Sequence, residues 1–181
     1  KAKENGRSQY QMFEPRMDVE ITRRSVLERA LREDIASDAF LPFYQPIVNL
    51  VSGTIQGFEM LARWHRPDGE EIGPNQFIPI AEESNLIHDL GDWVLDTALA
   101  MLARWPGQYV SVNFSPRQFR RQNFAGHLVE KVQRAGVAPG RLQIEITETA
   151  IFDDAEHAAD TLYRLRQMGF RIALDDFGTG Y

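Results

Sequence analysis

No cysteine occurs in the 181-residue chain, which removes disulfide staples, thiolate metal sites and thiol nucleophiles from consideration and fits a reducing cytosol. Only four histidines are present, and His65, His88, His127 and His157 show no metal-ligand spacing, so imidazole chemistry is not the expectation either. There is no surplus of positive charge. Twenty Lys and Arg stand against 26 Asp and Glu, a net charge of −6 that argues against a protein wrapped in duplex nucleic acid. No run approaches the roughly 20 apolar residues of a membrane span, and the opening Lys1–Gly6 has no signal-peptide pattern. A glycine-rich phosphate fingerprint after the first strand is also missing. What remains is an ordinary globular composition, 43% hydrophobic and 25% charged, whose chemistry must rest on oxygen and nitrogen groups.

The chain does not begin with Met, and it stops in the glycine-punctuated stretch Asp175–Tyr181, so both ends are expected to be cuts through a longer polypeptide. Residues 1–15 are polar. Residues 16–37 carry Ile21, Val26, Ala30, Leu31 and Ile35 at helical spacing among charges, the pattern of a linker helix. From residue 38 short apolar segments alternate with amphipathic ones. The spacing predicts strands over 41–48, 56–63, 109–114, 141–147 and 170–175, and helices over 75–83, 89–104, 123–135 and 154–168. Strand and helix in alternation indicate an α/β fold, leaving a doubly wound sheet or a TIM-like (β/α)8 barrel. The missing fingerprint favours the barrel. Such a barrel takes about 250 residues, so the chain is expected to hold an incomplete one.

Several strands carry a single polar residue between two large apolar ones: Glu59 between Phe58 and Met60, Asn113 between Val112 and Phe114, Glu145 between Ile144 and Ile146. Side chains alternate faces along a strand, so each polar group points away from its apolar neighbours, and the three would converge inside a barrel. Converging carboxylates resist burial unless a cation neutralises them. With Asp175 and Asp176 after the last apolar segment, the donor set is oxygen only, suited to Mg²⁺ or Mn²⁺. Two such ions side by side would direct a metal-activated water at a phosphate. Trp64, Trp93 and Trp105 read as packing groups, and the Arg117, Arg120 and Arg121 cluster as a solvated helix start.

The segments Phe43–Val48, Gly57–Trp64, Val112–Ser115, Glu145–Thr149 and Asp175–Tyr181 resemble, in order and spacing, the successive motifs of EAL domains, and the resemblance covers residues 41–181. It implies a cyclic-di-GMP phosphodiesterase of bacterial second-messenger signalling that opens its substrate to linear pGpG, or else a catalytically inactive EAL domain serving as a cyclic-di-GMP receptor or interaction module. Carried onto this chain, it implies metal ligation by Glu59, Asn113, Glu145, Asp175 and Asp176, with Glu59, Asp176 and Glu148 catalytic. It places Gln45, Leu61 and Arg63 on the substrate, and Glu148 as a brace for the 176–181 loop. It further implies a homodimer, and a family lysine and a late glutamate on strands after Tyr181. The stretch Lys1–Phe13 is similar to the end of a GGDEF, diguanylate cyclase-type domain. The implied organisation is a GGDEF tail over 1–15, a linker helix over 16–37 and an EAL domain over 38–181. One departure stands out: Met60 occupies a position where the family carries a small residue.

Overall fold

The computed structural model describes residues 15–147 and 155–175. Helix α1 (Pro15–Asp34) leads into β1 (Phe40–Val48) and β2 (Ile55–His65). The two-residue strand β3 (Glu71–Ile72) and helices α2 (Pro74–Glu83) and α3 (Ile87–Arg104) follow. Strand β4 (Tyr109–Phe114), the short helix α4 (Pro116–Phe119) and α5 (Phe124–Arg134) come next. A 3-10 turn at Pro139–Arg141 precedes β5 (Leu142–Thr147), α6 (Ala155–Gln167) and β6 (Arg171–Asp175).

All six strands share one sheet, ordered β1-β2-β4-β5-β6, with β3 beside β2. From β2 onward the pairs β2–β4, β4–β5 and β5–β6 are parallel, each joined through a helical crossover. The first pair breaks this repeat. β1 runs antiparallel to β2, because the connection between Val48 and Ile55 is a tight hairpin too short for a crossover. Among the described residues β1 and β6 form the open edges of the sheet, as the incomplete barrel requires.

The apolar half of each strand faces the helices. Met60, Val110, Val112, Phe114, Leu142, Ile144 and Ile146 pack against Leu95, Leu99 and Leu102 of α3, Leu128 and Val132 of α5 and Leu165 of α6. Glycines close two of these helices: Gly136 (φ 65) after α5 and Gly169 (φ 90) after α6 take the left-handed conformation. There Val137 N donates to Val132 O and Phe170 N to Leu165 O, satisfying carbonyls that the helices leave open.

A second core lies at the other end of β2. Phe40 and Trp64 stack at 5.7 Å, Phe77 of α2 meets both edge-on, and Leu27, Ala30 and Leu31 of α1 are buried with them. The Trp64 indole N–H donates to the Asp34 carboxylate at 2.8 Å. The last turns of α1 are therefore packed onto the sheet domain, which a freely swinging connector would not be. Trp64, Trp93 and Trp105 all serve packing, Trp105 holding Tyr44 and Phe58 through ring contacts at 5.1 and 4.6 Å.

Candidate active site

Strand register assembles the site on the sheet face opposite the main core. Glu59 pairs with Gln45 on one side and Ser111 on the other. Ser111 pairs with Gln143, and Gln143 with Arg171, so Glu59, Ser111, Gln143 and Arg171 form one row across four strands. The next row places Asn113 beside Glu145 and Ala173, and the row above it places Thr147 beside Asp175. Such stacked rows of inward side chains are how a parallel barrel fills its interior. Their upper ends are the C-terminal ends of β2, β4, β5 and β6, where barrel enzymes do their chemistry.

Side-chain contacts join part of this set. The Asn113 amide donates through Nδ2 to Glu59 Oε1 at 2.7 Å, which leaves its Oδ1 available as an acceptor. Glu145 Oε1 accepts from Ser111 Oγ at 2.6 Å and from Gln143 Nε2 at 3.0 Å. Gln143 Nε2 also lies 3.0 Å from Ser111 Oγ, and Gln143 Oε1 accepts from Arg171 Nε at 3.4 Å. Arg63 turns its guanidinium over the Phe43 ring, 5.6 Å from the centroid, on the same face as Glu59. Asp176 and Glu148 lie outside the described residues.

A cavity of about 280 Å³ opens between the upper ends of the strands and helices α2 and α3. Leu61, Arg63, Asn113 and Glu145 line it together, so four of the expected site residues share one space, while Glu59, Gln45 and Asp175 do not reach its wall. Its helical side is apolar, supplied by Phe77, Ile78, Leu90 and Val94. Helix α4 frames the mouth through a capping box: Ser115 N donates to Gln118 Oε1 at 3.0 Å and Gln118 N to Ser115 Oγ at 3.4 Å. Arg117 donates from α4 to the Glu82 carbonyl and, at 3.0 Å, to Asn85 Oδ1, tying α4 to the α2–α3 connection. The arginine after Pro116 is thus a brace in this fold.

Among the described residues no three His, Asp or Glu side chains stand close enough to hold a metal ion. Glu59 and Glu145 are each occupied by amide or hydroxyl partners. The donor set nevertheless fits a hard divalent cation: it is all oxygen, it comes from adjacent strands on one face, and Asn113 and Glu145 sit side by side in register. Ser111 and Gln143 are absent from the expected site. The signal that finds them is parity, since each lies two positions before a site residue on its own strand.

An open sheet, parallel from β2 through β4 and β5 to β6, with crossover helices on one face and carboxylate and amide groups on the other defines a TIM-barrel-like α/β domain. The EAL domain family model matches residues 28–181, and the chain belongs to that family. Over its full length it is 44% identical to an uncharacterized signaling protein of Caulobacter vibrioides, covering 22% of that protein. It is 35% identical, over 99% of its length, to the bifunctional diguanylate cyclase/cyclic di-GMP phosphodiesterase MucR of Pseudomonas aeruginosa, covering 27% of it. Among solved structures, a PaMucR phosphodiesterase in complex with c-di-GMP superposes with a TM-score of 0.82 at 34% identity, over 86% of this chain and 65% of that one. The chain spans about a quarter of the length of the curated relatives it matches.

Proposed function

We propose that this chain carries the first part of a cyclic di-GMP phosphodiesterase site, opening the cyclic dinucleotide to linear pGpG with the help of Mg²⁺ or Mn²⁺. The observation that carries the reading is the Glu59–Asn113–Glu145 arrangement on one face of the adjacent strands β2, β4 and β5, in an EAL-family chain whose relative MucR is named for that activity.

In this reading Glu59, Asn113, Glu145 and Asp175, with Asp176, hold the ions. When bound, those ions supply charge neutralisation at the phosphate and a nucleophile at neutral pH. The chain's own residues do the rest. Asn113 is already turned with its amide nitrogen toward Glu59 and its oxygen left over for a cation. Arg63, backed by the Phe43 ring, offers positive charge to the phosphodiester, and Gln45 and Leu61 position the nucleotide on the same face. Glu148 joins Glu59 and Asp176 as a catalytic residue in this reading. The apolar wall of the cavity limits water around the reacting phosphate. The paired EAL domains of a homodimer, an adjoining GGDEF-like domain and a cytoplasmic setting complete the proposal.

The test is an assay of the full-length protein with cyclic di-GMP and Mg²⁺, with and without chelator. Hydrolysis to pGpG that chelator and Glu59→Ala both abolish is the expected result. Turnover indifferent to both defeats the metal assignment, and tight binding of cyclic di-GMP without turnover marks the domain as a receptor.

A further inference from the structure

We propose that Ser111 and Gln143 are positioning residues for Glu145: they tie down its Oε1, so that only Oε2 is offered to a divalent cation. The inference rests on the metal-dependent reading above and concerns how one ligand is aimed.

Two donors converge on a single carboxylate oxygen. Ser111 Oγ stands 2.6 Å and Gln143 Nε2 3.0 Å from Glu145 Oε1, and the Ser111 side chain is fully buried, with no water to compete for its hydroxyl. The amide could in principle sit either way round. Arg171, a pure donor, lies 3.4 Å from Gln143 Oε1, and it sets the oxygen toward β6 and the nitrogen toward Ser111 and Glu145. Register makes this arrangement permanent, because Ser111, Gln143 and Arg171 are cross-strand partners in one row directly below Glu145. A carboxylate held in this way coordinates through one oxygen unless those bonds are given up. One-oxygen coordination suits the tight octahedral shell of Mg²⁺ or Mn²⁺, whereas Ca²⁺ readily takes bidentate carboxylates. Ser111 and Gln143, one row below Glu145 and in the row of Glu59, therefore act on both affinity and ion choice.

Mn²⁺ binding to the full-length protein, followed by electron paramagnetic resonance without nucleotide and with Ca²⁺ as competitor, tests this. Ser111→Ala is expected to weaken Mn²⁺ binding by about 10–100-fold and to lower the Mn²⁺ over Ca²⁺ preference, with the metal-free melting temperature little changed. Ser111→Thr, which restores the hydroxyl, should recover most of the loss. Gln143→Leu, at a less buried position and of similar volume, gives an independent reading should Ser111→Ala fold poorly. If both variants fold and keep wild-type Mn²⁺ affinity and ion preference while Glu145→Ala loses the ion, the positioning role is overturned and the phosphodiesterase reading stands. Wild-type protein that binds no Mn²⁺ at all overturns the metal reading itself.

Discussion

Asn113 Nδ2 lies 2.7 Å from Glu59 Oε1, linking β4 to β2 through two side chains expected to share a cation. The amide thereby does what a second carboxylate could not, since it approaches an acid without charge repulsion. Asn113→Asp should lose this exposed hydrogen bond and set two anions against each other, costing about 0.5–1.5 kcal/mol in chelator. Mn²⁺ should then raise the melting temperature of the variant more than that of the wild type, because the added charge is relieved only when the ion binds. Melting curves with chelator and with Mn²⁺ measure both effects, and equal stabilisation of the two proteins would separate Asn113 from the ion.

The polar positions that carry the site are legible because strand period is two. Glu59, Asn113 and Glu145 each interrupt an apolar triplet, and the structure places Asn113 in register with Glu145 and in contact with Glu59. Helices α3, α5 and α6 fall within two residues of their expected bounds, since each carries a full apolar stripe and two of them a closing glycine. Short elements leave no such trace. β3 has two residues and α4 four, too few to establish a period, and both owe their form to neighbours. The antiparallel start of the sheet follows from the length of one hairpin. Ser111 is hidden for another reason: a serine in a valine-rich strand reads as a neutral filler until its register partner is known to be Gln143.

Met60, the position at which the sequence departs from the pattern that the resemblance leads one to expect, is buried in the main core on the helix-facing side of β2. Its parity turns it away from Glu59 and Leu61, so its volume is absorbed among Val110, Val112 and α3, and it meets the candidate site only as part of the apolar wall of the cavity. Met60→Ala should therefore act on the core and bring no gain in any activity of the site face. It should open a cavity and cost about 2–5 kcal/mol, at the lower end where the core can relax. Denaturant unfolding reads the loss, and kcat per folded molecule should stay within about twofold. A gain in stability would mean that the core is overfilled at this point.

The indole of Trp64 donates to Asp34 at 2.8 Å inside the second core, fastening the end of α1 to β2. Asp34→Ala leaves a buried N–H without its acceptor and should cost about 1–3 kcal/mol. Asp34→Asn retains an oxygen at the same place and should cost less. Hydrogen exchange over Leu27–Leu31 should rise in the alanine variant before global unfolding, because those residues lose the link that holds their helix down. Equal protection in both variants would show that apolar packing alone retains α1.

Acid should loosen the contact between α3 and α5. Asp92 Oδ1 accepts from His127 Nε2 at 2.6 Å, and Lys131 lies 3.3 Å from the same oxygen while also binding Asp96 at 2.7 Å. Burial pushes the Asp92 carboxyl up, but the His127 hydrogen bond and the Lys131 charge outweigh it and hold the group below its ordinary value of 3.8. Folding thus favours the ionised form. The stability that Asp92 contributes is complete above that ordinary value and is lost as pH falls through the depressed one. His88, one turn earlier on α3, is shifted the other way in charge: burial first, then the Arg121 charge, lower it from 6.5 and favour its neutral form. Its contribution is whole above 6.5 and declines as pH falls below it. Both groups therefore make the α3–α5 face sensitive to acid, over adjoining pH windows. Because both are partly exposed, solvent screening keeps the pair contribution at Asp92 to about 1 kcal/mol or less. Asp92→Asn should lower the melting temperature at neutral pH and flatten its decline across the more acidic window, leaving the His88 portion in place. A variant whose melting temperature falls with pH as steeply as the wild type in that window would show that Asp92 is not the group being titrated.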